Sequence, residues 1–143
     1  MWQVYRLTLA IMLPLLTVVA GCGGLTNPEL TRVTGLVTFE GKPVGPGTVG
    51  FVPTDPAGSS ASGTIEKNGK FKMSVFNPGD GALPGTYKVA ITVVKEPAHP
   101  DEKGNVVPAS YLSPDRYMNP DTSGFTITVE KSKPQNVTFE LKP

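Results

Sequence analysis

Apolar and polar residues alternate with period two in short runs along most of the chain. Val33, Gly35, Val37 and Phe39 fall on one face of an extended segment, and Val49 and Phe51 do the same between Gly47 and Pro53. Phe71, Met73 and Val75 alternate with Lys70, Lys72 and Ser74, and Tyr87, Val89, Ile91 and Val93 with Lys88, Ala90 and Thr92. Phe125, Ile127 and Val129 interleave with Thr126, Thr128 and Glu130, and Val137, Phe139 and Leu141 with Asn136, Thr138 and Glu140. Successive side chains of a strand point to opposite faces, so each run has one apolar face and one wet face. The pattern predicts seven strands, near residues 33–40, 47–53, 62–66, 70–76, 86–95, 125–130 and 136–141. Two sheets joined through their apolar faces would satisfy it. The expected fold is all-β, a seven-stranded antiparallel Greek-key β-sandwich.

Turn chemistry agrees with these boundaries. Glu40-Gly41-Lys42-Pro43 joins the first two strands, and Lys67-Asn68-Gly69-Lys70 carries Asn-Gly, a strong hairpin signal. Gly79-Asp80-Gly81-Ala82-Leu83-Pro84-Gly85 leads into the longest strand, and Lys131-Ser132-Lys133-Pro134 connects the last two. Gly85 reads as a bend into that strand, and Gly47 as a point where a side chain would not fit. Tyr87 is expected to bury its ring and keep its hydroxyl at the sheet edge. With 16 Gly and 15 Pro in 143 residues, long helices are not expected.

The amino terminus follows a different rule. A short start bearing Arg6 precedes an apolar run of 14 residues, Leu7 to Ala20, and then small residues and Cys22. The run is shorter than the roughly 20 residues a spanning helix needs, and the arrangement is that of an export signal. Val19-Ala20-Gly21-Cys22 resembles a bacterial lipoprotein box. That resemblance implies cleavage between Gly21 and Cys22 and a diacylglyceryl thioether on the Cys22 thiol, with palmitate-type acyl chains as the anchor. Small residues before the cysteine let the backbone enter the peptidase, and a thiol is needed to form the thioether. The chain's one Cys stands at that position. The expected division is a signal at 1–21, a lipidated Cys and tether at 22–31, and a β-domain at 32–143. Gly23 after the cysteine, where sorting signals carry Asp, favours onward transport to an outer membrane by analogy.

From Val33 to Leu141 the chain resembles bacterial carboxypeptidase regulatory-like domains, whose fold is a transthyretin-like or prealbumin-like sandwich related to Ig-like architectures. The resemblance rests on Val33-Thr-Gly-Leu-Val-Thr-Phe-Glu-Gly-Lys-Pro-Val44, Gly47-Thr-Val-Gly-Phe-Val-Pro53, Gly69-Lys-Phe71 and Gly85-Thr-Tyr-Lys-Val-Ala-Ile91. It continues in Pro114-Asp-Arg-Tyr117 and Pro120-Asp-Thr-Ser-Gly124. These are turn and core positions, which imply a fold and no activity.

Charge and composition narrow the function classes. Arg6 is the only charge in the signal, so the remaining chain carries 12 basic and 12 acidic side chains. Neutrality argues against nucleic acid as a partner. A single His and a single Cys exclude a paired-cysteine zinc site and a disulfide framework. Enzymes of transthyretin-like architecture need several His, or two Tyr and two His on iron, and the second His is missing. No H-E-x-x-H, Gly-x-Ser-x-Gly elbow or P-loop occurs. No cofactor or metal is expected.

The long connection from Glu96 to Asp121 holds the remaining candidates. Tyr111, Arg116 and Tyr117 are possible ligand contacts, with Tyr117 expected to lie on the sandwich and pin the loop. Asp101, Glu102 and Asn105 cluster oxygens suited to Ca²⁺ but lack the EF-hand order. His99 stands between prolines without a catalytic partner. Asn136-Val137-Thr138 fits a glycosylation pattern inside a strand and is discounted. The sequence therefore leads to a non-enzymatic lipoprotein of the bacterial cell envelope, anchored by lipid and facing the periplasm or exterior. Its expected partners are the membrane and an envelope protein or glycan. The alternatives are a hydrolytic or carbohydrate-active protein using loop 96–121, and an oligomeric carrier of a small ligand.

Overall fold

A computed structural model of the protein describes residues 29–143; Gly21 and Cys22 lie outside the described residues. In chain order the elements are β1 (Val33–Phe39), β2 (Lys42–Pro43), β3 (Gly47–Pro53), β4 (Ala61–Ile65), β5 (Lys70–Lys72) and β6 (Gly85–Glu96). They continue with β7 (His99–Pro100), β8 (Val106–Val107), β9 (Ser110–Tyr111), α1 (Asp115–Met118), β10 (Thr126–Val129) and β11 (Gln135–Leu141). The seven strands read from alternation are therefore present, with ends shifted by a few residues. Four two-residue strands and one helical turn are additional. They are too short to show a period, and three of those strands and the turn lie in the 96–121 connection.

The principal sheet runs β10-β6-β3-β4-β5-β1-β11, with β2 on β1 and β9 on β6. The sheet curls. Phe51 on β3 meets Phe139 on β11 at 6.4 Å between ring centroids, although those strands stand four places apart in the order. One expectation is corrected. The pairs are antiparallel except the last, where β11 runs parallel to β1, with Val33 opposite Gln135 and Phe39 opposite Leu141. The segment from Lys131 to Pro134 thus forms no hairpin between β10 and β11. It crosses to the free edge of β1, where the β11 residues Val137, Phe139 and Leu141 share the inward face with Val33 and Val37. Gln135 holds the seam by donating its side-chain amide to the Thr128 carbonyl at 3.0 Å.

The hairpins show why the turn residues are there. Glu40 and Gly41 both take positive φ, 50° and 76°, as a two-residue type I′ connection between β1 and β2 requires. At Asn68-Gly69 the geometry is a type I turn closed by a glycine bulge. Gly69 donates to the Glu66 carbonyl at 2.9 Å, Glu66 to the Lys70 carbonyl at 2.8 Å, and only Gly69 has positive φ, 79°. The Asn68 carboxamide oxygen accepts the Lys70 N–H at 2.9 Å. Gly35 has another purpose: a Cβ there would collide with the Val137 carbonyl and the Phe71 ring.

The core holds Val33, Val37, Val49, Phe51, Ile65, Phe71, Met73, Tyr87, Val89, Ile91, Val93, Phe139 and Leu141. These are the inward positions of the period-two pattern. Tyr87 buries its ring against Phe51 at 5.6 Å and donates its hydroxyl to the Leu83 carbonyl at 2.7 Å. That bond ties the loop before β6 to the core.

Candidate functional site

The strands fix two ends of the molecule. β1 starts where β6 starts and where β3 and β5 finish, and it ends beside the finish of β6. From Gly85 to Glu96, β6 spans about 36 Å at a rise of ~3.3 Å per residue. The chain leading back to Cys22 enters at one end. Residues 97–109 lie at the other.

Residues 110–113 of the 96–121 connection lie along β6. β9 pairs with it at Val94 and Glu96. The Ser113 hydroxyl accepts the Val93 N–H at 3.0 Å, and Leu112 donates to the Val93 carbonyl at 2.8 Å. Further down the same edge, Val89 donates to the Phe125 carbonyl at 3.0 Å and β10 takes over. The connection thus supplies hydrogen-bond partners that a short β10 cannot provide.

Of the three candidate contacts, two come together and one stands apart. Tyr117, on α1, is 6% exposed and stacks on Phe125 at 5.3 Å with 16° between the rings. Its oxygen accepts twice, from the Lys142 N–H at 3.1 Å and from Arg116 Nη2 at 3.0 Å. Arg116 Nη2 also donates to the Lys142 and Pro143 carbonyls at 2.7 and 2.8 Å, and the guanidinium carbon lies 4.6 Å from the Tyr117 ring centre. Burial would raise the phenol pKa, but the Arg116 hydrogen bond and charge, with the Lys142 N–H, hold it below its ordinary value. Arg116 and Tyr117 therefore fasten the 96–121 connection to the residues following β11. Tyr111, on β9, is 48% exposed and makes no hydrogen bond or ring contact with either, among the described residues. The convergent pocket that a catalytic reading needs is not formed by these three side chains. Tyr117→Phe removes the double acceptor and should lower stability by about 1 kcal/mol, read as a lower urea midpoint with an unchanged slope.

The acidic cluster of the loop is likewise occupied. β7 and β8 form a hairpin around Asp101, whose carboxylate accepts the Lys103 and Asn105 N–H groups at 2.8 Å and the Asn105 side-chain amide at 3.0 Å. These bonds, with the Asn105 side chain contributing most, hold the Asp101 carboxyl below the usual carboxylate range. Among the described residues no three His, Cys, Asp or Glu stand together as a metal site. His99 is exposed and faces the Pro97 carbonyl at 3.1 Å.

A hollow of about 630 Å³ lies on the wet face across β5, β1 and β11. Thr34, Leu36, Lys70, Lys72, Asn136 and Thr138 line it. Hydroxyls, amides, two cations and the Glu66 carboxylate face it.

The loop 74–82 carries a feature that alternation does not mark. The loop following β5 is locked by Asp80, whose carboxylate accepts the Val75, Phe76 and Asn77 N–H groups at 2.8, 3.0 and 2.7 Å. The Ser74 hydroxyl accepts the Gly79 N–H at 2.7 Å. Phe76 on this loop is 60% exposed. The available signal was an aromatic out of the β5 alternation before Asn77-Pro78-Gly79-Asp80. Partial burial works against ionisation of Asp80, but the three N–H donors outweigh it and hold its pKa below the ordinary value. A lowered folded-state pKa means the stabilisation is present above the unfolded value and lost as pH falls through the folded one. Asp80→Asn should therefore cost about 1 kcal/mol at neutral pH. The gap to wild type should close below about pH 4 in urea melts recorded across pH.

No family model and no curated protein matches the chain. Among solved structures, a 9R-lipoxygenase from Cyanothece PCC8801 aligns with 82% of this chain and 17% of its own, at 17% identity and a TM-score of 0.37. The chain thus spans less than a fifth of that protein's length, and so distant a likeness carries no argument about fold or activity. Among the described residues no helix is long and apolar enough to cross a membrane.

Proposed function

We propose that the protein is a lipid-anchored, non-enzymatic module of a bacterial cell envelope, held to the membrane through acylated Cys22 and presenting a β-sandwich body outside the cytoplasm. The observation that carries this reading is the position of the one Cys. It directly follows Val19-Ala20-Gly21 at the end of the apolar run, nine residues before Thr31 enters the fold. The body is read as a Greek-key sandwich of the carboxypeptidase regulatory-like, transthyretin-like kind. In this reading β10-β6-β3-β4 face β5-β1-β11, which suits the Phe51–Phe139 contact between strands distant in the sheet order.

A binding role suits the body better than catalysis. Arg116 and Tyr117 are engaged with the chain after β11, and Asp101 with its own hairpin. What stays displayed is Tyr111 and the β7–β8 hairpin with Val106, 78% exposed, at the end opposite the tether. An envelope protein or glycan would meet the molecule there. Feeding labelled palmitate to cells making the protein should label it, and Cys22→Ser should remove the label. Label retained by the variant would refute acylation at this thiol.

A further inference from the structure

The end of the body that leads back to Cys22 carries an exposed aromatic ring on an immobilised loop. Thr31 is fixed there by a reciprocal backbone pair with Ala82, at 2.8 and 2.9 Å, so the loop from Ser74 to Ala82 lies beside the tether's exit. In that loop Phe76 is 60% exposed while its own N–H and those of Val75 and Asn77 are held by Asp80. A singly exposed apolar side chain is common on protein surfaces; what marks Phe76 is its place, on a loop fixed by Asp80 next to the exit of the chain that leads back to Cys22. Further along the same loop, Pro78 and Gly79 border a hollow with Arg32 and Lys72. Both cations are exposed, and neither forms an ion pair among the described residues.

An aromatic ring with two available cations matches the chemistry of an anionic bilayer surface, where rings settle at headgroup level and Lys and Arg meet phosphates. The chain outside the described residues says which surface that is. Nine residue steps lead from Cys22 to Thr31, a reach of at most about 30 Å. The loop therefore stays within reach of the leaflet holding the anchor. The second contact is intramolecular, at an effective concentration on the order of millimolar, so a weak contact suffices.

We propose that residues 75–79 dock the body on the membrane that bears its own anchor, with Phe76 entering the headgroup region and Arg32 and Lys72 meeting anionic headgroups; this rests on acylation of Cys22. Docking at this end sets the long axis of the body away from the bilayer. Tyr111 and the β7–β8 hairpin are then carried to the distal side, about 36 Å further along β6.

The test uses a vacancy in the composition. The one Trp is Trp2, within the signal, so after processing an indole introduced by Phe76→Trp reports alone. The full acylated variant is placed in vesicles of phosphatidylethanolamine and phosphatidylglycerol with bromines on the acyl chains just below the headgroups. The expected result is a blue-shifted emission and an about twofold loss of intensity. Adding Arg32→Glu and Lys72→Glu, or raising salt, should restore intensity while the protein stays on the vesicles. An acylated chain whose indole is neither shifted nor quenched overturns the docking and leaves the anchor standing. A chain that shows no acyl mass and does not sediment with vesicles overturns both.

Discussion

Replacing Cys22 by Ser should move the protein from the membrane pellet to the soluble fraction almost completely. Two acyl chains of about fifteen buried carbons each, at roughly 0.8 kcal/mol per CH₂, hold a protein with ~24 kcal/mol. The loop contact of Phe76 is far smaller. Burying one phenyl ring contributes about 1.5–3 kcal/mol, and two surface cations about 1 kcal/mol each. Without the tether that contact also loses its high local concentration. In the proposed arrangement the anchor decides location, and the loop decides orientation. Fractionation of cells making the full chain reads the difference directly. Phe76→Ser should leave the protein in the pellet, and Cys22→Ser should not. A Cys22→Ser protein that still sediments with membranes would contradict this account.

Phe139→Ala should be the most damaging single substitution in the core. The ring lies 5.2 Å from Phe125, 6.0 Å from Phe71 and 6.4 Å from Phe51. Phe51 in turn touches Tyr87, and Phe125 touches Tyr117. One side chain thus joins β3, β5, β11 and the end of the 96–121 connection. Truncating it leaves a cavity bounded by rigid rings in different strands, which cannot collapse together. The expected cost is about 3–5 kcal/mol, a large share of the roughly 5–15 kcal/mol that domains of this size possess. In thermal unfolding that corresponds to a fall of about 15–30 °C. Phe139→Leu keeps most of the volume and should cost well under half as much. Equal losses for Ala and Leu would mean that the aromatic contacts, and not the filled volume, are decisive.

The seven strands were legible because one face of each is buried, which forces alternation, and because Gly and Asn mark the reversals at Gly41 and Gly69. The parallel pairing of β11 with β1 was not. Alternation states which face of Val137, Phe139 and Leu141 is inward, and is silent about which neighbour lies alongside or in which direction. The structural use of Arg116 was hidden for another reason. Its partners are the Lys142 and Pro143 carbonyls, and backbone acceptors leave no mark in composition. Tyr117 was readable as a pinning residue from its motif, whereas its two donors depend on where β11 ends. Phe76 is not legible in the sequence because an exposed aromatic breaks a pattern without announcing a new one. The proposed anchor, by contrast, rests on local sequence alone, on Val19-Ala20-Gly21-Cys22 after the apolar run.

The most direct measurement is the mass of the amino-terminal peptide of the protein purified from membranes. The account predicts a chain that begins at Cys22 and carries a diacylglyceryl group on its sulfur. A peptide that still contains residues before Cys22, or that bears a free thiol at that position, would contradict it.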